Sequence, residues 1–471
     1  MGDTVKTKRS KRRRTADVDL GGKASRLSSI IFVLICFLPV FGTVVFGAVD
    51  NTTWLIISVF WAIIILLWLA DAWLGGALLL NTSSLQLPLI GLLMLGLVQL
   101  LPLGGGVEGL SVGVSRALSL DPYSTRFFVT KLVVYVAFFA ACLTFINNER
   151  RLRTVVLLLI VFGAAMAFYG ILQRLASPDG IYGMRETPQS IPFGPFVNGH
   201  HFAAFLQMTG GLALALLLTK ATTRDKKLLL AVPMVVMGMA VVLTGSRGGL
   251  LGFFAVGAFV LLLNFLSGTW SRVRGDESVS SDSWRRNVGL AGAGAALLLV
   301  VFGSVLLLGG NESLLRGIGA DNAGGNLTSD RSHFWPIALR IFLEHPIIGS
   351  GLESFGVAFT QYDTRNGLFR VERAHNEYLQ TLSDAGILGF ACLAAFIYLL
   401  FKKSMTVIAA SAPGFRRDAA IGALAGCFGI LIHSFFDFPL RTPSNALVFL
   451  LICAIATVSI TTAPDDRMRR N

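Results

Sequence analysis

Charge is scarce in this sequence. Only 14% of its 471 residues are Asp, Glu, Lys or Arg, whereas 54% are hydrophobic, and the mean hydropathy is +0.68. A soluble protein of this length carries far more charge, so the composition excludes an ordinary soluble globular protein. The few charged residues are mostly basic, with a formal net charge of +13.

Hydrophilic loops lack cysteine altogether. The five cysteines all fall inside apolar runs, which excludes a disulfide framework and leaves no zinc-type spacing. They are expected to be small packing residues. An Asp-x-Asp motif occurs only in the N-terminal tail, at 17–19. Nothing visible in the sequence therefore requires a metal, and we expect no cofactor.

Apolar runs of roughly 17–25 residues recur along the chain, which is the length needed to cross the hydrocarbon core of a bilayer. Within lipid each run must be helical, because every backbone polar group needs a partner inside its own segment. The sequence therefore predicts an all-α polytopic membrane protein with about twelve transmembrane helices. The predicted spans are 27–49, 54–73, 85–103, 127–146, 154–172, 202–218, 228–244, 248–266, 288–308, 386–401, 419–432 and 446–460.

The distribution of Lys and Arg predicts the orientation, because loops on the cytoplasmic side carry an excess of both. Clusters at 6–14 and 467–470 predict that both termini are cytoplasmic. All lysines except Lys131 fall in segments that this topology puts inside. The net positive charge follows from the same rule, so we expect no nucleic-acid partner and assign the protein to a membrane that it crosses several times. The predicted inside loops are 150–153, 220–227, 272–286 and 402–417.

These spans divide the chain into five parts. The predicted parts are a basic cytoplasmic tail at 1–26, spans one to nine at 27–308, a large periplasmic loop at 309–384, spans ten to twelve at 385–462, and a cytoplasmic tail at 463–471.

The large loop is expected to contain short helices. Ser329 or Asp330 is a candidate cap for a helix whose apolar positions recur at helical spacing as far as Phe342. Pro346 follows soon after and is expected to end that helix. Glycines at 349 and 351 then precede a second short helix predicted near 352–359.

Histidine and arginine are concentrated on the predicted outer face. All six histidines map there, together with about a dozen arginines. The positive-inside rule disfavours arginine at that face, so its presence there needs another explanation. We infer an anionic substrate, because guanidinium groups bind phosphate oxygens bidentately.

The stretch 373–382 places a histidine among charged and amide residues just before a long apolar run. On a helix, Leu379 and Leu382 share the face of His375, which predicts an imidazole held near the edge of the tenth span. Arg373 and Asn376 flank the histidine. These residue types suit proton transfer beside an anion.

Three motifs occur in a fixed order along the chain. They are Ser-Arg-Gly-Gly at 246–249, Arg331…Trp335…His345-Pro346…Gly349…Gly351, and His-Asn-Glu-Tyr-Leu-Gln at 375–380 followed by Gly386 and Gly389. In motifs and topology the sequence resembles the O-antigen ligase and polymerase family of bacterial envelope glycosyltransferases, over roughly 196–440. Many relatives have Asn-Arg-Asn-His at the entry to the sixth span, whereas this chain has Asn-Gly-His-His at 198–201.

The resemblance implies transfer of a glycan from an undecaprenyl diphosphate carrier to an acceptor hydroxyl on the periplasmic face, without a metal. By that resemblance His375 is the general base and Arg247 stabilises the departing diphosphate. The expected partners are the carrier-linked glycan, an acceptor glycan or lipid A core, and membrane lipids. The residues expected to bind substrate are Arg331, Arg373, Asn376, Arg185, Asn198, His200 and His201.

Structural roles are open for several of these residues. Arg247 is also suited to snorkelling toward lipid headgroups, and His200 and His201 to being interfacial polar residues. His345 fits the end of a helix, and Asp437 fits a structural partner of Arg441.

Other functions also remain open. A multi-pass transporter of an anionic or lipid-linked substrate is the alternative, although transporters usually place ionisable groups near the midplane. A non-enzymatic assembly subunit is a further class. The sequence favours neither a ligase nor a polymerase clearly over the other. A related activity, transfer of the glycan to protein, is also open.

Overall fold

Thirteen α-helices form the part of the chain that the structure describes. The computed structural model describes residues 25–104, 116–176, 180–187, 190–218, 224–273, 327–364 and 371–460. The helices are α1 (Arg26–Val44), α2 (Asn51–Gly75), α3 (Gln86–Gln99), α4 (Pro122–Phe145), α5 (Glu149–Ala176), α6 (Gly199–Leu218), α7 (Arg224–Leu243), α8 (Arg247–Val273), α9 (Leu327–Glu344), α10 (Phe355–Thr360), α11 (Glu377–Ala410), α12 (Phe415–His433) and α13 (Pro443–Thr457).

Eight of these helices are long and apolar enough to cross a membrane, namely α1, α2, α4 to α8 and α11. The apolar helices α3 and α13 are shorter, and α12 coincides with the predicted eleventh span. The expectation of an all-helical membrane protein with several spans is thus confirmed. The predicted ninth span, 288–308, lies outside the described residues, so the total of twelve stays a prediction.

Three buried helices form the centre of the bundle. Nearly every residue of α6 and α13 is buried, as is most of α12. Helices without a polar face need neighbours on all sides, and α12 packs against both α6 and α8. The start of α6, the end of α12 and the start of α13 meet at one end of the bundle, called the loop end below, where Asn445 Nδ2 donates to the carbonyl of His201 at 2.9 Å.

A second, smaller core lies among the short helices near the loop end. Ile337, Ala338 and Ile341 of α9 are buried against Phe355 and Phe359 of α10. The predicted helix in this segment is confirmed, but it begins at Leu327, so the two candidate capping residues lie within its first turn. The second predicted helix is also found, over Phe355–Thr360.

Gly386 divides α11 into two pieces. Its φ of +61° and ψ of −162° are not helical, and a Cβ added there would lie 2.5 Å from the carbonyl carbon and oxygen of Ile347. Only glycine tolerates both the backbone conformation and the close approach. The first piece therefore belongs to the loop end, and the second forms the apolar segment predicted as the tenth span.

The position of His375 relative to α11 differs from the prediction. The helix begins at Glu377, and Asn376 is its N-cap, with Oδ1 accepting from the backbone N–H groups of Tyr378 and Leu379 at 3.0 and 3.1 Å. An N-cap residue ends the helix on its N-terminal side. His375 therefore precedes the helix and does not share a helical face with Leu379 and Leu382.

Candidate active site at the loop end

Two segments distant in sequence meet at the loop end, one just before α11 and the other between α12 and α13. The backbone N–H of Glu377 donates to the carbonyl of Ser434 at 2.9 Å. The hydroxyl of Tyr378 donates to the carbonyl of Leu431 at 2.7 Å. These bonds hold the 371–377 segment against the loop that follows α12.

The meeting of these segments brings His375 to Asp437. His375 Nδ1 lies 3.3 Å from Oδ1 of Asp437, whose side chain is only 4% exposed, whereas the His375 side chain is 39% exposed. The ring of Phe334 stacks on the imidazole with centroids 6.2 Å apart, and Phe438 meets it edge-on at 5.0 Å. The imidazole thus has one nitrogen facing a buried carboxylate and its ring fixed between two aromatic side chains.

Further histidines surround the same carboxylate. His201 Nε2 lies 3.9 Å from Asp437 Oδ2, and its Nδ1 is 2.7 Å from the hydroxyl of Thr442. His200 and His433 are also within electrostatic reach of Asp437. Burial raises the pKa of Asp437, but its contact with His375 and the charges of the neighbouring imidazoles outweigh burial and lower that pKa well below its usual value. Asp437 is therefore ionised at neutral pH.

The backbone around His375 is held in an uncommon conformation. His375 has a φ of +50°, which costs free energy for a residue with a Cβ and persists only where the surroundings enforce it. The indole N–H of Trp335 donates to the carbonyl of Ala374 at 3.1 Å, and the N–H of Ala374 donates to Oε1 of Gln380 at 2.7 Å. Hydrogen bonds to both the carbonyl and the N–H of Ala374 thus fix the backbone just before His375.

Arg331 of α9 reaches the same loop. Its Nη2 donates to the carbonyl of Phe436 at 2.7 Å, next to Asp437. Burial lowers the pKa of Arg331, Asp437 opposes that change, and the charge of Arg247 adds to the lowering. The guanidinium group of Arg247 is therefore near enough to Arg331 to affect its pKa.

Arg247 is the first residue of α8. The hydroxyl of Ser246 accepts from the N–H of Gly249 at 3.0 Å and so caps the helix. Gly248 allows the helix to approach His433, because a Cβ there would lie 2.7 Å from the imidazole Cδ2. The positive end of the α8 dipole thus lies beside Arg247 at the loop end.

A network of buried charges lies beside this site. Arg441 pairs with Glu353 at 2.7 Å, with Glu377 at 2.8 Å and with Asp384 at 3.4 Å, and Glu353 also pairs with Arg373. Burial raises the pKa of Glu353, but Arg373 and Arg441 more than offset burial and lower that pKa to about 2. The network ties the residues on both sides of His375 to the turn that follows Asp437.

The sequence-based pairing of Asp437 with Arg441 is therefore wrong. The carboxylate of Asp437 contacts imidazoles, and Arg441 binds the acids of the neighbouring network. A 3-10 turn at Pro439–Arg441 lies between Asp437 and the helix α13, and Arg441 is its last residue.

Not all the residues predicted to bind substrate converge here. Arg247, Arg331, His200, His201 and His375 lie around Asp437. Of the other predicted residues, Arg373 is bound to Glu353 and Asn376 caps α11. Asn198 accepts from the N–H of His200 at 2.8 Å, and Arg185 pairs with Asp50 and lies over the ring of Phe46.

Sequence reasoning missed the part that Asp437 plays. The signal that could have found it is an acid placed in an aromatic outer loop, Phe-Phe-Asp-Phe at 435–438, directly after the buried His433. Glu353 was also missed. Its positive φ of +67° has no sequence signature, because glutamate rarely adopts that conformation.

One known protein family matches part of this chain. Residues 232–394 match the sequence profile of a family described as O-antigen ligase. No curated protein sequence matches the chain. The matched stretch includes Arg247, Arg331 and His375, whereas Asp437 and Arg441 follow it. The match shows that residues 232–394, less than half of the chain, are similar to an O-antigen ligase domain.

Proposed function

We propose that this protein transfers a glycan from undecaprenyl diphosphate to an acceptor hydroxyl on the periplasmic face of the bacterial inner membrane. The family match supports glycosyl transfer of the ligase or polymerase type, with a lipid-linked glycan as substrate. The contact between His375 and Asp437, beside two arginines, is the observation that carries the proposal.

His375 is suited to act as the general base. If Nδ1 carries its proton toward Asp437, Nε2 is left as a proton acceptor, and the ionised carboxylate stabilises the imidazolium that forms. The 39% exposure of the histidine side chain leaves room for an acceptor hydroxyl to approach. Asp437 is buried and acts through the histidine, as a positioning residue.

The proposed reaction balances without any further reactant. The acceptor oxygen forms a bond to the anomeric carbon of the glycan, and its proton moves to Nε2 of His375. The bond from that carbon to the carrier phosphate breaks, and its electron pair leaves with undecaprenyl diphosphate. No step of this scheme calls for a metal.

Arg247 and Arg331 are proposed to bind the carrier diphosphate. Negative charge develops on the phosphate oxygen as the glycosidic bond breaks, and fixed guanidinium groups stabilise that charge. The start of α8 adds backbone N–H groups and the positive end of its dipole. His200 lies within electrostatic reach of Arg331 and Asp437, and with His201 it is proposed to contribute to the binding of substrate.

The other predicted residues have supporting roles in this proposal. Asn376 caps α11, the helix that follows His375. Asn198 accepts a hydrogen bond at the start of α6, the helix that carries His201. Arg373 helps to hold the 371–377 segment through Glu353. Arg185 is proposed to line the route by which substrate enters, since it lies among predicted outer loops.

The periplasmic location of the site gives a labelling prediction. Cysteines introduced at Gly325 and Asn366 should react with an impermeant thiol reagent added to intact spheroplasts, whereas one at Ser280 should react only after lysis. The reason is the Lys and Arg asymmetry of the predicted loops. Labelling of Ser280→Cys in sealed cells would reverse the orientation and move the site to the cytoplasm.

Arg247 gives a second prediction. Arg247→Lys keeps the charge but loses the planar fork, so we expect turnover to fall substantially, and Arg247→Ala should cost about 10²–10³-fold. Purified variants would be compared at equal concentration with a saturating glycan donor. If both variants retain near-normal turnover, the arginine only anchors the hairpin between α7 and α8.

The function itself is tested by reconstitution. Purified protein in nanodiscs would receive a glycan linked to undecaprenyl diphosphate, with either lipid A core or a second carrier-linked glycan as acceptor. A new glycosidic bond with release of undecaprenyl diphosphate supports the proposal, and the acceptor used separates ligase from polymerase. Movement of intact donor across the bilayer, with no new bond, would instead support the transporter alternative.

A further inference from the structure

Helix α9 has an exposed apolar strip beside its buried face. Leu339 and Leu343 are 47% and 65% exposed, and Ile347, just after the helix, is 63% exposed. Pro336 and Pro346 are exposed on the same stretch. Soluble loops rarely keep several large apolar side chains in one contiguous exposed strip, so this strip calls for a partner.

The spacing confines these side chains to one side of the helix. Positions 336, 339 and 343 recur at i, i+3 and i+7, which places them within about 60° of one another on a helix of 100° per residue. Arg340 and Glu344 lie immediately beside them and form an exposed ion pair, with Arg340 over the ring of Tyr362 at 4.7 Å. Around its axis α9 thus has a buried face, an apolar strip and a charged strip.

The apolar strip is continuous with the exposed apolar side of α11. The N–H groups of Ile387 and Leu388 donate to the carbonyls of Pro346 and Ile347 at 2.8 and 3.2 Å. Ile387 and Leu388 are themselves 49% and 48% exposed, at the start of the apolar piece of α11. The exposed positions then continue along that piece at Ala391, Ala394, Ala395 and Tyr398.

We infer that α9 lies in the membrane interface, with Leu339, Leu343 and Ile347 among the lipid acyl chains. Continuity with the exposed side of a candidate membrane-spanning helix identifies the partner as bilayer lipid. An interfacial helix has an apolar side in the hydrocarbon and charged residues at the level of the headgroups, and the adjoining Arg340–Glu344 strip fits that arrangement. The consequence is that Arg331, on the same helix, is held at the depth of lipid phosphates.

Photo-cross-linking tests this inference directly. Benzoylphenylalanine would be introduced in place of Leu343, and in place of Glu344 as a matched control one residue away. The purified full-length protein would be irradiated in nanodiscs of phosphatidylethanolamine and phosphatidylglycerol, and lipid adducts counted by mass spectrometry. We expect at least about five times more adduct at 343 than at 344, because only 343 faces acyl chains.

A second position keeps the test decisive. If the 343 variant does not elute as folded protein, the same substitution at Ile347 replaces it, with Arg340 as its control. Equal lipid adducts at strip and control positions would overturn the inference. So would cross-links at 343 that join two copies of the protein in place of lipid. The readout requires no glycan donor, so its outcome is independent of the proposed function.

Discussion

Replacing His375 with alanine is expected to lower turnover by about 10²–10⁴-fold, which is the usual contribution of a general base. In the proposed mechanism the acceptor hydroxyl then has no group positioned to take its proton, while the arginines proposed to bind diphosphate are untouched. Binding of the carrier-linked glycan should therefore change little. In cells, glycan should accumulate on its undecaprenyl carrier although the variant inserts and is present at normal level.

His345→Ala is the control for this experiment. His345 lies just after α9, where its backbone N–H bonds to the carbonyl of Ile341, and the proposed mechanism gives its side chain no role. His333→Ala should also cost much less than His375→Ala, because the partner of His333 is Asp363, at 3.0 Å, and not Asp437. The base assignment fails if His375→Ala keeps most of the wild-type turnover, and His200 or His201 then becomes the next candidate.

Asp437→Asn is expected to produce a second large loss, of about 10² -fold or more in kcat, with little change in KM for the donor. The amide has the same shape but no charge to stabilise an imidazolium. Its NH₂ group can also donate to Nδ1, which would shift the proton of His375 to Nε2 and remove the proton acceptor. Steady-state kinetics with purified protein measures both constants.

Asp363→Asn is the matched control, since the carboxylate of Asp363 also contacts an imidazole, that of His333, at 3.0 Å. This variant removes a comparable charge and should lower the thermal midpoint while leaving kcat nearly unchanged. If both aspartate variants lose kcat equally, and in proportion to their loss of stability, then Asp437 only supports the fold.

The helical framework could be predicted because its signals are local. Runs of apolar residues identify spans through the cost of leaving backbone groups unpaired in lipid, and α9 was predicted from apolar positions at helical spacing. Two of its buried residues, Ile337 and Ile341, lie on the expected face. The ends of the helices were predicted less accurately. Helix α9, for example, begins at Leu327, ahead of both candidate capping residues.

The site could be predicted only in part, because its contacts join distant segments. His375 was singled out by its neighbours in sequence, yet its contact with Asp437 depends on how α11 and α12 pack at the loop end. Nothing local distinguishes a carboxylate that orients an imidazole from one that pairs with a nearby arginine. The choice between Arg441 and His375 as the partner of Asp437 was decided by tertiary structure.

The charge network around Arg441 bears on how this protein can be divided or recombined. Glu377 and Asp384 lie within the matched stretch, but their shared cation comes from the turn before α13, beyond residue 394. A buried acid without its cation is strongly destabilising. We therefore expect that residues 232–394 do not fold as an autonomous unit. A fragment limited to 232–394 lacks the 433–441 turn, and with it both the cation that pairs with Glu377 and Asp384 and the carboxylate beside His375.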